Sequence, residues 1–137
     1  MPHDPARVED TRAWLRKAEL DLRAAAHLLA SRPPILGNAV FHCQQAAEKA
    51  LKGFLAWYDE PFRKTHNLEE IGRQVAAREP SLQRIVDRAG VLTEYAWKFR
   101  YPGEPDEPPR SEAEDALALA REVYEAVIAR LPAEVRP

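Results

Sequence analysis

A chain of 137 residues suits one domain and leaves little room for two, and a domain of this size buries roughly two-thirds of its unfolded surface. Apolar residues make up 45% and charged residues 31%, a balance that is typical of a globular protein and argues against wholesale disorder. The net charge of −2 argues against a globally basic nucleic-acid-binding protein, and a lone cysteine, Cys43, excludes an intrachain disulfide scaffold. We therefore expect a single domain over residues 1–137.

The start of the chain and its apolar runs bear on where the protein works. Residues Met1 to Asp4 show neither the basic n-region nor the apolar h-region of a signal peptide. No apolar run approaches the ~20 residues that a membrane-spanning helix needs. Together with the single cysteine, these features predict a protein of the reducing cytoplasm that does not contact a membrane.

Two long helices are predicted first, because helical periodicity is strong and strand signals are nearly absent. The first is expected to end near Ala30, before two prolines, and either Asp4 or Asp10 is a plausible N-cap. The second is expected from about Leu36 to Tyr58. Its small residues would let another backbone approach closely, and they are Ala46, Ala47, Ala50 and Gly53.

Three further helices complete the prediction. The third runs from about Leu68 to Arg78, where Asn67 and Glu70 make a capping-box-like start, and the fourth from about Ser81 to Phe99. A stiff, proline-rich loop, Tyr101–Pro109, leads to the fifth helix, which is expected to begin at a Ser111/Glu114 capping box and to end at Pro132. The pattern predicts an all-α, up-and-down antiparallel bundle of four to five helices.

Such a bundle would place the loops Pro61–His66 and Tyr101–Pro109 at the same end. Between Pro61 and Arg100 there are eight Lys or Arg residues against five Asp or Glu, so this part of the chain has a positive surplus. A converging cluster could hold a nucleotide phosphate or an RNA backbone, since Arg offers a bidentate fork and the start of the third helix adds N–H donors. Its predicted members are Arg63, Lys64, His66, Lys98, Arg100 and Tyr101.

A plainer interpretation of the same residues is structural. Arg63 and Arg100 would then pair with Glu104, Asp106 or Glu107 and only hold the loops in place. His66 has two interpretations as well. It could act as a general base or phosphate ligand, or it could pack over Ile71.

The second helix carries Glu48 and Lys52 four residues apart, with the acid first, which is the better orientation for a helical ion pair. Phe41 and Leu55 share their face, so we expect partial burial in a subunit interface or under a neighbouring loop. The alternative is an exposed pair worth a few tenths of a kcal/mol. Together with the small residues of this helix, the semi-apolar face favours a homodimer.

Other chemistry is not indicated. The four histidines show no metal-ligand spacing, and no glycine-rich phosphate loop or Gly-x-Ser-x-Gly elbow occurs. Cys43 lies on an apolar stripe, as a small core residue does. We therefore predict no metal site and no cofactor.

Four stretches carry a resemblance to a known family. They are Gln44–Leu55 (QQAAEKALKGFL), Thr65–Leu68 (THNL), Arg100–Pro102 (RYP) and Ala18–Leu22 (AELDL). By the order and spacing of these stretches along the chain, the sequence resembles the HEPN family from about Trp14 to Ile128. The resemblance implies a four- or five-helix bundle, usually homodimeric, that binds nucleotide or RNA. Many prokaryotic members are encoded beside a minimal nucleotidyltransferase, some as toxin–antitoxin pairs. The residues that match family positions are Gln45, Glu48, Lys52, His66, Arg100 and Tyr101.

The resemblance leaves catalysis open. Active HEPN ribonucleases carry an Arg, four to six residues and then a His, shared across a dimer interface. Here no histidine follows Arg100, and Arg63 and His66 are separated by only two residues. The first hypothesis is therefore a nucleotide- or RNA-binding module that acts with a minimal nucleotidyltransferase partner. The alternatives are a metal-independent ribonuclease with an atypical pair, His66 and Arg100, and a purely structural dimerisation module.

Overall fold

A computed structural model describes residues 3–103 and 106–137 of the chain. These residues form five α-helices, namely α1 (Pro5–Ala30), α2 (Leu36–Trp57), α3 (Leu68–Arg78), α4 (Gln83–Ala89) and α5 (Arg110–Ile128). Three 3₁₀ helices accompany them, at Pro80–Leu82, Gly90–Ala96 and Ala133–Val135, and the described residues contain no strand. The predicted all-α helical bundle is confirmed.

Capping and packing explain the first two helices. Asp4, rather than Asp10, caps α1: its carboxylate accepts a hydrogen bond of 3.0 Å from the backbone N–H of Ala6. Helix α2 is the central helix, with most of its residues buried. A Cβ at Gly53 would lie 3.1 Å from the Cβ of Trp14, so this glycine admits α1 of the same chain. Ala46, Ala47 and Ala50 are fully buried within the chain as well. Those small residues are therefore no evidence for a contact between subunits.

The direction of α3 differs from the one assumed for an up-and-down path. The carbonyl of His66, just before α3, accepts from the side chain of Gln44 in the first half of α2. At the other end of α3, the guanidinium of Arg78 lies 4.9 Å from the ring of Tyr58, just after α2. Residues 58–67 therefore run back alongside α2, and α3 runs parallel to α2 rather than antiparallel to it. The long return segment makes this parallel arrangement possible.

The predicted fourth helix, Ser81–Phe99, is wrong as a continuous α-helix, because the chain tightens into a 3₁₀ helix at Gly90. A Cβ at Gly90 would lie 3.2 Å from Cγ of Glu69, so the glycine permits a close approach to α3. The predicted Ser111/Glu114 capping box is also wrong, since α5 begins at Arg110 behind Pro109 without a side-chain cap. Its last turn ends at Ile128, before Pro132.

Helices α4 and α5 run antiparallel to one another and close the bundle. Tyr95 donates to Glu112 at 2.6 Å, and Arg88 pairs with Glu122 at 2.7 Å. The loop before α5 reaches the first turn of α2, where the carboxylate of Glu107 accepts from the N–H of Gly37 at 2.5 Å. Among the helices of the described residues, none is long and apolar enough to cross a membrane.

Candidate functional site

The return segment covers a carboxylate in the middle of α2. The side chain of Glu48 is only 5% exposed. One of its oxygens, Oε1, accepts from Nδ1 of His66 at 2.8 Å and from Nε2 of Gln44 at 3.0 Å. The other, Oε2, accepts from Nζ of Lys52 at 3.0 Å. Both oxygens of this buried group are therefore used, as a buried charge requires.

Lys52 lies beneath two aromatic rings. Its ammonium is 5.5 Å from the ring centroid of Phe62 and 5.9 Å from that of Trp14, and those two rings meet edge to face. Because Phe62 belongs to the return segment and Trp14 to α1, the ion pair of Lys52 and Glu48 lies under a neighbouring loop of the same chain. Gln45 is half-buried beside it and donates to Gln44 at 2.6 Å. The exposed ion pair considered for Glu48 and Lys52 does not occur.

His66 is held at one nitrogen and exposed over most of its surface. Its side chain is 65% exposed, although Nδ1 contacts the buried Glu48. A carboxylate at Nδ1 favours the proton on that nitrogen, and the neutral ring then has an acceptor at Nε2. His66 is thus oriented by Glu48, and it is not the ring packed over Ile71 that the structural interpretation proposed.

Arg100 lies over the same face of α2. Its guanidinium is 4.1 Å from the ring centroid of Phe41 and 5.6 Å from that of Tyr101, and it donates to the carbonyl of Ala96 at 2.9 Å. Phe41 precedes Gln44 by three residues, which is about 4.5 Å along a helix axis. His66 and Arg100 therefore contact the same face of α2: the carbonyl of His66 lies at Gln44, and its imidazole lies at Glu48, two turns after Phe41. They do so although the two loops do not share one end of the bundle.

Of the remaining members of the predicted cluster, two are held in ion pairs and two are exposed. Arg63 makes a two-point contact with Glu70, with nitrogen–oxygen distances of 2.5 and 3.1 Å. Hydrogen bonding to Glu70 raises the pKa of Arg63, and hydrogen bonding to Arg63 lowers the pKa of Glu70. Lys98 pairs with Glu94 at 3.2 Å. Lys64 and Tyr101 are exposed.

For Arg63, the structural interpretation named the wrong acids. Arg63 does pair with a carboxylate, but its partner is Glu70 on α3. Glu107 contacts the start of α2 instead, and Arg100 lies against aromatic rings. Glu104 lies outside the described residues.

A second polar cluster, which was not predicted from the sequence, lies between α1 and α2, about 100° around α2 from Glu48. Asp21 of α1 accepts from Nδ1 of His42 at 2.8 Å and from Nζ of Lys49 at 2.7 Å. The signal was present in the sequence. Asp21 lies three residues after Ala18 and four before Ala25, on the buried side of α1, and its two partners are seven residues apart on one face of α2.

Comparisons with known proteins agree with this architecture. The family profile described as HEPN domain matches residues 11–131. The crystal structure of TT1696 from Thermus thermophilus is 30% identical with a TM-score of 0.71, covering 88% of this chain and 98% of that one. The crystal structure of ST0689, an archaeal HEPN homologue, is 25% identical with a TM-score of 0.70, covering 88% of this chain and 96% of the other. A search of curated proteins gives no match.

Proposed function

Since this chain belongs to the HEPN domain family, we propose that it binds a nucleotide phosphate or an RNA backbone across the outer face of α2, with His66 and Arg100 as its principal contacts. One observation carries the proposal: an exposed imidazole is fixed by the buried Glu48, and an exposed guanidinium is fixed by Phe41, about two turns or ~10.5 Å earlier on the same face of α2. The guanidinium donates to phosphate oxygens, the imidazole does so from Nε2 in its protonated form, and the positions of both groups are set before a ligand arrives.

Supporting contacts come from cations nearby in the chain. Lys64 is exposed two residues before His66, and Lys98 lies two residues before Arg100. Arg63 is not a principal contact, because its guanidinium already makes a two-point contact with Glu70. The site would then hold a few phosphate contacts, and binding should weaken as salt rises because each contact displaces counterions.

The test is a titration of labelled single-stranded RNA and of ATP against the wild type, His66→Ala and Arg100→Ala at low salt. Each variant should bind more weakly, and Arg100→Ala should lose about 1.5–3 kcal/mol of binding free energy if it makes a charge-assisted contact. Arg84→Ala is the matched control, because it removes one exposed positive charge from α4. No binding by the wild type, or equal losses in Arg84→Ala, would refute the proposal.

A second function has a specific observation in its favour. The contact of His66 with Glu48 is the arrangement by which a buried carboxylate orients a general base. Nε2 of His66 would take the proton of a 2′-hydroxyl, and the 2′-oxygen would attack the adjacent phosphorus. The 5′-oxygen would leave with a proton from water, giving a 2′,3′-cyclic phosphate and a 5′-hydroxyl. Arg100 would stabilise the added negative charge on the phosphorus oxygens.

Cleavage separates the two functions. We expect slow cleavage or none, because the Arg-to-His spacing that fixes the geometry in active family members is absent. RNA is incubated with the wild type in a chelator and the products are resolved by length. Robust cleavage that is lost in His66→Ala would make the ribonuclease the better conclusion.

We further propose that the protein is a cytoplasmic homodimer and acts with a minimal nucleotidyltransferase, as a component of a toxin–antitoxin pair. Membership of the HEPN domain family supports the proposals on oligomeric state and partner. The dimer surface must lie outside the small residues of α2, since these are buried within the chain. Light scattering at micromolar concentration tests the dimer, and co-purification with the product of a neighbouring nucleotidyltransferase gene tests the partner.

A further inference from the structure

The segment Trp97–Tyr101 alternates aromatic and cationic side chains, in the order Trp-Lys-Phe-Arg-Tyr. Two of its three rings are largely in water: Trp97 is 57% exposed and Tyr101 is 69% exposed. Single exposed apolar residues are ordinary, but two large aromatic rings within five residues are not explained by the folding of the core. The cations between them give the segment a positive charge.

The middle ring, Phe99, anchors the segment. It lies 6.1 Å from the ring of Tyr95 in a stacked arrangement, and a Cβ at Gly37 would come within 3.1 Å of its Cβ. Phe99 has a φ of 68°, a left-handed conformation that costs a bulky residue free energy. Its inward packing holds the backbone in this conformation, while Trp97 and Tyr101 on either side stay in solvent.

The segment adjoins the proposed phosphate site. The N–H of Arg100 donates to the carbonyl of Trp97 at 3.4 Å, which closes a turn between them, and the ring of Tyr101 lies 5.6 Å from the guanidinium of Arg100. A phosphate bound at Arg100 would therefore bring its own nucleotide, or the next one along the strand, close to one of these rings.

We propose that Trp97 and Tyr101 form a stacking surface for unpaired nucleobases, so that the ligand of this face is single-stranded RNA. The inference rests on the proposed function and deepens it. Aromatic rings beside cations bind single strands because every base has a face that can stack and every linkage carries a charge. A duplex cannot use the surface in this way, since its bases are already stacked on one another.

The experiment compares three ligands of equal phosphate number: a single-stranded RNA, an abasic strand and an RNA duplex. The variants are Trp97→Ala, Tyr101→Ala and the conservative Trp97→Phe, all measured for Kd at low salt and for thermal stability. Val91→Ala is the matched control, because Val91 is 67% exposed in the 3₁₀ helix Gly90–Ala96, just before the segment. Fluorescence of Trp97 is read in a Trp14→Phe, Trp57→Phe background, so that the signal comes from the surface ring alone.

The single strand should bind more tightly than the abasic strand, and the alanine variants should lose roughly 5- to 150-fold in Kd for the single strand only. Trp97→Phe should retain most of the affinity, Val91→Ala should match the wild type, and the single strand should quench Trp97. Equal binding of the single and abasic strands would overturn the stacking surface and leave the phosphate site standing. No binding of any strand would refute the proposed function itself. A change of oligomeric state in Trp97→Ala would assign the rings to a protein interface instead and overturn the inference.

Discussion

Two carboxylates, one on α2 and one on α1, each bind one histidine and one lysine. Glu48 contacts His66 and Lys52, whereas Asp21 contacts His42 and Lys49, all at 2.7–3.0 Å. The groups are alike, but their surroundings differ. The side chain of Lys52 is 8% exposed against 25% for Lys49, and that of His66 is 65% exposed against 31% for His42.

The difference lies in where the partners come from. Both partners of Asp21 are on α2 and Asp21 is on α1, so this cluster ties two neighbouring helices together. Glu48 instead fixes a histidine from a distant segment and keeps its lysine buried beneath two rings. The same set of charged groups therefore stabilises helix packing in the Asp21 cluster and presents an oriented imidazole to solvent in the Glu48 cluster.

The largest expected effect is on stability at Glu48. In Glu48→Ala the ammonium of Lys52 remains buried without its counter-ion, and such uncompensated charges cost about 3–5 kcal/mol of the free energy of unfolding. Urea denaturation of the variant and the wild type measures this loss. The double variant Glu48→Ala, Lys52→Met should recover much of the stability, because it removes the charge as well. A loss below about 1 kcal/mol in the single variant would mean that Lys52 reaches water.

The next effect concerns ligand binding and contrasts the two histidines. His66→Ala should weaken the binding of single-stranded RNA by about 1.5–3 kcal/mol, if its imidazole makes a charge-assisted contact with phosphate. His42→Ala should leave binding unchanged, although it also removes a histidine that contacts a carboxylate. Fluorescence anisotropy at low salt measures both. Equal losses in the two variants would show that the exposed ring of His66 has no special part in binding.

Much of this architecture could be predicted from the sequence. The bounds of α2 and α3 follow from apolar periodicity and from the Asn67 cap, whose side chain does accept from the N–H of Glu69 and Glu70. The reciprocal half of that capping box does not form, since Glu70 binds Arg63. Local signals decide helix ends, and a competing tertiary partner decides what a side chain finally contacts.

The site itself was harder to predict, because contacts between distant residues depend on chain direction. Short loops favour antiparallel helices, but residues 58–67 run back along α2 and reverse the expected direction of α3. His66 and Arg100 nonetheless contact one face of α2, by a different route. Asp21 was missed because its partners are on another helix, and only its place on the apolar side of α1 indicated them.

A smaller loss of stability is expected at Asp21. Asp21→Ala removes the acceptor of His42 and Lys49, which are both partly exposed and can be hydrated in its absence. The cost should be about 1–3 kcal/mol, the range for a part-buried polar group that loses its partner. Asp10→Ala is the control, since Asp10 is an exposed acid on the same helix. If Asp21→Ala destabilised the protein as much as Glu48→Ala, burial would not be what separates the two clusters.

The smallest effect is expected at Arg63 and Glu70, a pair whose arginine is exposed, and it tests the same principle at the surface. The contact with Arg63 lowers the pKa of Glu70, so the pair stabilises the folded state above the ordinary carboxyl pKa, and this contribution is lost as the pH falls through the lowered value. In Arg63→Gln the pKa of Glu70 should rise towards its usual range, as followed by NMR titration of the carboxyl carbon. Lys64→Gln removes the neighbouring exposed cation and should shift the pKa of Glu70 less.

The thermal midpoint of Arg63→Gln at neutral pH should hardly change, because water and salt screen an exposed pair. A midpoint that fell as far as in Asp21→Ala would show that exposed pairs hold the return segment in place, and the stability of this fold would then depend on its surface charges as well as on its buried ones.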